Sequence, residues 1–556
     1  MTLTRWPAVL LGLALCAAPV TIAADGLSGL AIGYICSAER DGARKIGARR
    51  LVMVADVGSG GFAIATTKPE AQRWFDYGMQ LAHAFYHEDA KLAFKRAREI
   101  DPACAMCAWG EAWADGPTIN FDVSSSERKV AGVVLERAAT LDRAESARNR
   151  SLIEALRLRY SGPGAAADIA FAEAMDALAR RYPDDDEIAI LTADAWLEPF
   201  TLRSDRQGLA RAVAVLEPVL HRHPDNTGAI HFYIHATEAA GNAALALTYA
   251  DRLGALAPNA SHLVHMASHT FFRVGRYEDA AVVNAEAIAA DGAYLRQAHD
   301  ATPQGKVWYH AHDLRFGLAG AMASGDAPLA LRLADHVAFA FPAAISGEGG
   351  AQIAAADAGF AYGRFAPDRA LALPDPGPQA PFASALRHYA RGEAFAGRGD
   401  GAATRAEAAA IEGQKGAADA TPGYFRRAAR AMLRIAALTL RGRAAMIDGQ
   451  PRVAAGFYAA AAKIQEADLA HLNDFDPPPW WYPVRRSLAA ARLAAGDPAG
   501  AADEARTALK TWPHEPLTLR ILGQAERAAG QIPAAERDLA EADKAWRGET
   551  VSAVRM

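Results

Sequence analysis

Cysteine is scarce in this chain, with 4 residues among 556, and Cys16 falls inside a leading apolar run. Cleavage of that run leaves Cys36, Cys104 and Cys107. An odd count leaves at least one thiol unpaired within the chain or bound to something else. Positive charge is not in excess: 59 lysines and arginines stand against 64 aspartates and glutamates, a formal net charge of −5, with no long basic run. Phosphate backbones are offered no basic face, so nucleic acid is not an expected partner. Beyond the first two dozen residues no stretch approaches ~18 uninterrupted apolar residues, so no integral membrane segment is expected after signal cleavage. A His-Glu-x-x-His protease motif is absent from the histidine segment described below. A haem-attachment Cys-x-x-Cys-His is also missing, because Ala108 follows Cys107.

What is present begins with Arg5, the apolar run over 7–20, and small residues ending at Ala23 and Ala24. This pattern reads as a secretory signal peptide over 1–24 and predicts a periplasmic or secreted protein. Leu15 stands where a lipobox needs a small residue, so release is expected rather than lipidation through Cys16. With 51% hydrophobic and 22% charged residues the chain has the balance of a folded soluble protein.

Residues 25–66 form an N-terminal segment with strand-like stretches at 51–57 and 62–66 around glycines 58, 60 and 61. Helical periodicity then takes over. In the first repeat Trp74, Tyr77, Gly78 and Leu81 fill a first helix, Ala90, Phe94 and Ala97 a second, and Pro102 ends the unit. Gly78 is expected to let the two helices cross closely. Further units end at Pro183, Pro224, Pro258 and Pro513; Pro224 and Pro258 are thirty-four residues apart, as are the turn glycines Gly241 and Gly275. The predicted fold is all-α, a TPR-like helical-hairpin solenoid with a short strand-like N-terminal segment. Its expected parts are a solenoid with a His-rich groove over 67–346, an irregular helical segment with a Pro-rich loop over 347–420, and C-terminal repeats over 421–548.

Ten of the sixteen histidines fall between His221 and His312. His231 and His235 sit four residues apart, and the spacing recurs thirty-four residues on as His265 and His269. Glu238 and His262 lie on the same helical stripes, since residues three, four and seven apart share a helix face. The glycine at 325 marks a third unit that places His312 in the register of His262, with His310 and Asp313 beside it. Stacked helices lie roughly 8 to 10 Å apart, so imidazoles of both stripes can share one metal in the groove. Neutral imidazoles with a carboxylate suit zinc, copper, nickel or iron and poorly suit calcium or magnesium. Glu238 is a candidate ligand, a candidate orienting group and, in an enzyme, the candidate base. Histidines that bind a peptide or anion without metal are the alternative. His83 and His87 are also four apart but read as a solvated helix end.

Three further features are open at this stage. Cys104 and Cys107 admit a local disulfide or packed thiols, a metal half-site, or a redox pair. Trp480, Trp481, Tyr482 and Arg485 follow three prolines and read either as a rigid aromatic junction or as a wall and anion clamp facing the groove. Tyr233 is a further groove candidate.

Several segments together resemble a family of secreted bacterial tetratricopeptide-repeat proteins with no assigned reaction. They are Phe75-Asp-Tyr-Gly-Met-Gln-Leu81, Asp101-Pro-Ala-Cys-Ala-Met-Cys-Ala-Trp-Gly-Glu111, His231-Phe-Tyr-Ile-His-Ala-Thr-Glu238, Ser261-His-Leu-Val-His-Met-Ala-Ser-His269, His388-Tyr-Ala-Arg-Gly392 and Pro478-Pro-Trp-Trp-Tyr-Pro-Val-Arg485. Ala267 departs from the proline that the family favours there. The resemblance implies the fold and supplies no chemistry. From the residues, the expected function is an extracytoplasmic metal-binding module that takes a peptide, protein or small molecule in its groove. The alternative is a metalloenzyme on the same histidines, a zinc hydrolase or a copper or iron oxidase.

Overall fold

The computed structural model describes residues 51–119, 123–162, 164–203, 208–298, 310–340, 349–414, 416–421, 425–470 and 477–556. The signal sequence read at 1–24 and Cys36 lie outside the described residues. Among the described residues the chain forms twenty-four α-helices and no β-strand. The helices follow one another as hairpins, from Pro69–His83 with His87–Ile100 to Pro516–Ala528 with Ile532–Ala545. The protein is an all-α, TPR-like helical-hairpin solenoid. None of its described helices is long and apolar enough to cross a membrane.

Local chemistry explains the hairpins. The Asn226 side chain caps the helix Thr227–Ala239 by accepting from the Ala229 amide. The helix Leu209–Arg222 ends just before Pro224 and Leu247–Leu256 just before Pro258, as expected of a residue that cannot continue the ladder. Gly241 and Gly275 turn the chain between helices at φ of 78° and 83°, a left-handed conformation that costs other residues far more. Gly78 has the packing purpose predicted for it: a Cβ there would lie 2.6 Å from the ring of Phe94. Phe94 thereby fills the space between the first two hairpins at Gly78 and Gly110. The proline-broken stretch is helical at Gly349–Phe365 and Pro367–Ala372, with an extended loop before Pro381–Gly397.

Residues 51–66 are extended, but they pair with no strand. They run instead along the face lined by the first helices of successive hairpins. Val52 N donates to Ala298 O (3.0 Å), Asn259 N to Asp56 O (3.2 Å), Ser59 N to Thr227 Oγ1 (2.7 Å), and Gly61 N to Glu187 Oε1 (2.7 Å). Asn149 Nδ2 closes the row on Ala63 O at 3.0 Å. Side chains and backbone groups of the solenoid thus satisfy the strap's backbone where a sheet would otherwise do so. Gly58, at φ 122°, passes so close that a Cβ would meet Thr227 Oγ1 at 2.7 Å.

The chain's last residues occupy the same face in the other half. Buried Arg443 and Arg364 donate from Nη1 to Val554 O and Arg555 O, both at 2.6 Å, and Arg486 donates from Nε to Met556 O at 3.0 Å. The open groove expected from the repeats is therefore filled along both stretches by the chain itself.

Candidate metal centre

Three first helices bring the histidines together: Thr227–Ala239, Ser261–Arg273 and His310–Ser324. The first two are buried over nearly their whole length. His231 and His235 project from one turn of the first helix and meet His262 from the second; His265 and His269 meet His312 from the third. Each group of three places its ring nitrogens within 4.8 Å of one another. The two histidine stripes, expected to be able to share one metal, thus fall into two triads. Each joins an i, i+4 pair to the histidine near the start of the next first helix.

The series stops at both ends for readable reasons. Thirty-four residues before His262 stands Gly228, against whose Cα the ring of His83 packs, 3.3 Å from where a Cβ would be. In the third helix the positions of His265 and His269 are held by Arg315 and Ala319, and Arg315 pairs with Asp357 at 2.7 Å.

The tautomers follow from the outer hydrogen bonds. His231 Nδ1 lies 2.6 Å from His83 O, a group that can only accept, so this nitrogen carries the proton. His265 Nδ1 lies 2.6 Å from Asn284 Oδ1, and the Asn284 amide is oriented because its Nδ2 donates to Ala280 O. His269 Nδ1 lies 2.7 Å from Glu238 Oε2, while Arg273 Nε donates to Glu238 Oε1 at 2.8 Å. With both Nδ1 atoms protonated, His265 Nε2 and His269 Nε2 each present a lone pair, and these atoms are 3.0 Å apart. Two acceptors at that distance repel unless a cation lies between them. Ligand nitrogens about 3.3 Å apart are what a tetrahedral ion with ~2.05 Å bonds requires. His312 Nε2 is 3.4 Å from His269 Nε2, and in the first triad His262 Nε2 is 3.1 Å from His231 Nε2.

A proton is a poor substitute for that cation. Burial, followed by the neighbouring His312 and His269, holds the His265 imidazolium well below its ordinary range. Burial lowers His231 to about 3 and depresses His235 and His262 strongly. The sign of the consequence is definite: groups with depressed values stay neutral and ready to ligate as pH falls below 6.5. Metal affinity of the first triad is therefore expected to change only a few-fold between pH 7.5 and 5.5 while the fold holds. Three exposed histidines would lose roughly a thousandfold over the same interval. Competition titration at the two pH values measures this, and a thousandfold loss would contradict the enclosed geometry.

Aromatic rings flank the two triads. Phe85 stacks on His235 and His262, with ring centroids 5.7 and 4.9 Å away, and meets His231 edge-on at 4.3 Å. It does so from φ 60°, a strained conformation for a bulky residue of the kind found where function fixes the backbone. Phe316 contacts His265, His269 and His312 on the other side. None of the six triad histidines is more than 7% exposed, so they lie in the interior rather than along an open groove. His83 also departs from the solvated helix end expected of it. It is buried, its Nε2 is 2.8 Å from Glu187 Oε2, and its carbonyl orients His231.

The other candidates lie elsewhere or serve otherwise. Glu238 orients His269 and engages Arg273, so it is neither a placed ligand nor an available base. Tyr233 is buried on the far side of its helix, with its hydroxyl 3.3 Å from Glu217. Trp480, Trp481 and Tyr482 are core residues of the second half, packed around Tyr389 and Phe360. Arg485 is already neutralised by Glu466 and Glu504, which removes the anion clamp. His310 begins the third helix, and its side chain is outside the described residues. Cys104 and Cys107 form a buried disulfide with each other, so neither is a metal ligand here. Asp313, which the sequence sets beside His312, is fully buried with Oδ1 3.2 Å from His265 Nδ1. Burial and the nearby Asp291 raise its carboxyl well above the ordinary range.

No protein-family model matches the chain, and no curated protein is similar to it. Solved structures align along it at low identity. The human IFIT1 dimer with m7Gppp-AAAA is 14% identical over 79% of this chain and 90% of its own, with a TM-score of 0.32. The P58(IPK) TPR domain is 14% identical over 65% of this chain and 95% of its own, with a TM-score of 0.19. The Cut9–Hcn1 hetero-tetramer of the APC/C is 11% identical over 87% of this chain and 94% of its own, with a TM-score of 0.22. Such likenesses concern helical build alone, and the capped oligonucleotide belongs to IFIT1.

Proposed function

We propose that this protein is a metal-binding module whose solenoid encloses a transition-metal centre of the zinc, copper, nickel or iron class. The observation that carries the reading is the pair of ring nitrogens, His265 Nε2 and His269 Nε2, held 3.0 Å apart with their Nδ1 atoms engaged elsewhere. Their Nδ1 partners, Asn284 and Glu238, fix the rings in the ligating tautomer, as outer partners of metal-bound histidines do. His231, His235 and His262 make the second donor set. The signal sequence read at 1–24 supports a periplasmic or secreted site of action.

The peptide or protein expected in the groove is not favoured, because strap and tail occupy the inner face. A small molecule that reaches an enclosed ion fits better. The hydrolytic alternative loses its base, since both Glu238 oxygens are engaged.

Binding to the folded state alone stabilises it by RT ln(1 + [L]/Kd), about 4 kcal/mol at a thousandfold excess over Kd. Chelator-treated protein given zinc chloride is therefore expected to melt several degrees higher. An unchanged midpoint, with no zinc retained after desalting, would contradict the proposal.

A further inference from the structure

The repeat has built the same donor set twice, and the two copies adjoin. His235 of the first triad packs against His269 of the second with ring centroids 5.4 Å apart, and His262 against His265 at 5.6 Å. The six imidazoles are thus one continuous array, with Phe85 and Phe316 at its two ends. Resting on the reading of the triads as metal sites, we infer that they hold a pair of copper ions, one per triad, and that the small molecule taken by the pair is dioxygen.

Three observations carry the identity. First, every placed donor is a neutral imidazole. The nearest acids sit on the outer Nδ1 side: Glu238 against His269 and Asp313 against His265. Paired iron or manganese ions in helical proteins are held largely by inward-projecting carboxylates, and among the described residues the two ligand groups contain none. Imidazole-only donors suit copper, zinc and nickel, and of these copper is the one that readily gives one electron per ion to dioxygen. Second, a zinc pair would serve hydrolysis, which needs a water and a base at the ions. The walls here are phenyl rings, and the one nearby glutamate is committed to His269 and Arg273.

Third, the six histidines are buried, none more than 7% exposed, so the ions they hold would suit a ligand of only a few atoms. Three protein ligands also leave a four-coordinate ion one position for such a ligand. The electron balance closes without further reactants. Each of two copper(I) ions gives one electron, dioxygen accepts both and stays bound as peroxide with its O–O bond intact, and no proton moves. Release of dioxygen returns both electrons.

The test loads chelator-stripped full-length protein with copper(I) without air, counts ions by native mass spectrometry, then admits air and records absorption and electron paramagnetic resonance. His262→Ala and His312→Ala each remove one ligand from one triad, with helical content checked by circular dichroism. Two ions in the parent, one in each variant, and an oxygenated parent that absorbs anew but stays silent in resonance would support the pair. One ion with a full copper(II) signal would overturn the pair and leave the metal centre standing. Two ions with no change in air would overturn the dioxygen assignment. No retained copper or zinc would remove the underlying reading. If either variant fails to fold, the parent's ion count and resonance still decide.

Discussion

Replacing His235 and His269 together by alanine is expected to abolish zinc retention while leaving helical content nearly unchanged. One substitution falls in each triad, so neither keeps three ligands. Removal of a ligand from a three-histidine site leaves an ion with two protein donors, fewer than either structural or catalytic zinc sites use. The helices themselves do not depend on the ion, since they pack through a core running from Leu51 to Phe316. Two buried imidazoles replaced by methyl groups leave cavities, with a stability loss of about 2 to 5 kcal/mol. That loss is spread over neighbour contacts in a solenoid. The measurement is zinc per chain after desalting, beside a circular dichroism spectrum. Stoichiometric zinc in the double variant would eliminate this ligand set, and collapse of the spectrum would make the site a structural staple.

Glu393→Gln is expected to cost about 3 to 5 kcal/mol, far more than any surface pair. Glu393 forms a fully buried ion pair with Arg443, in a region that also holds Arg364 and Arg486. Burial first, and then Arg486, Arg555 and Arg443, holds Arg364 well below its ordinary range, with Glu393 acting in the opposite sense. Arg486 has its own acid in Glu515 at 2.6 Å. Neutralising Glu393 leaves Arg443 buried without its counter-charge and weakens the seat of residues 554–556, which Arg443, Arg364 and Arg486 hold by backbone carbonyls. Breaking the exposed pair of Arg427 and Asp468 is the control, expected to cost under about 1 kcal/mol. Urea unfolding of the three proteins measures the difference. Equal losses for the two variants would show that the buried arginines are solvated or otherwise compensated.

Much of the fold was legible in the sequence because repeats are local. The thirty-four-residue spacing of Gly241 and Gly275, the prolines after helices, and the contact of Gly78 with Phe94 follow from neighbours along the chain. The histidine stripe was legible for the same reason, since i, i+4 spacing needs only helix geometry. Its division into two triads was not. That depends on how far each first helix is advanced against the next, and the available signal was the shared register of His262 and His312 near the starts of their helices. His83 was misjudged because its burial is decided by Glu187 and Phe232, more than a hundred residues away in sequence. Residues 51–66 have strand-like composition but make their hydrogen bonds with side chains and backbone groups of later hairpins, which no local pattern records. The aromatic run at 480–482 showed that it must be buried somewhere, and Tyr389 and Phe360 decide where.

The central claim is that the triads exist to hold metal. Elemental analysis of untagged protein, purified from the compartment in which it naturally resides and without chelators, tests it most directly. The account predicts near-stoichiometric zinc, copper, nickel or iron that is lost in the His235→Ala/His269→Ala variant. Protein that is fully folded and free of all four metals, and that takes up none when they are supplied, would contradict it.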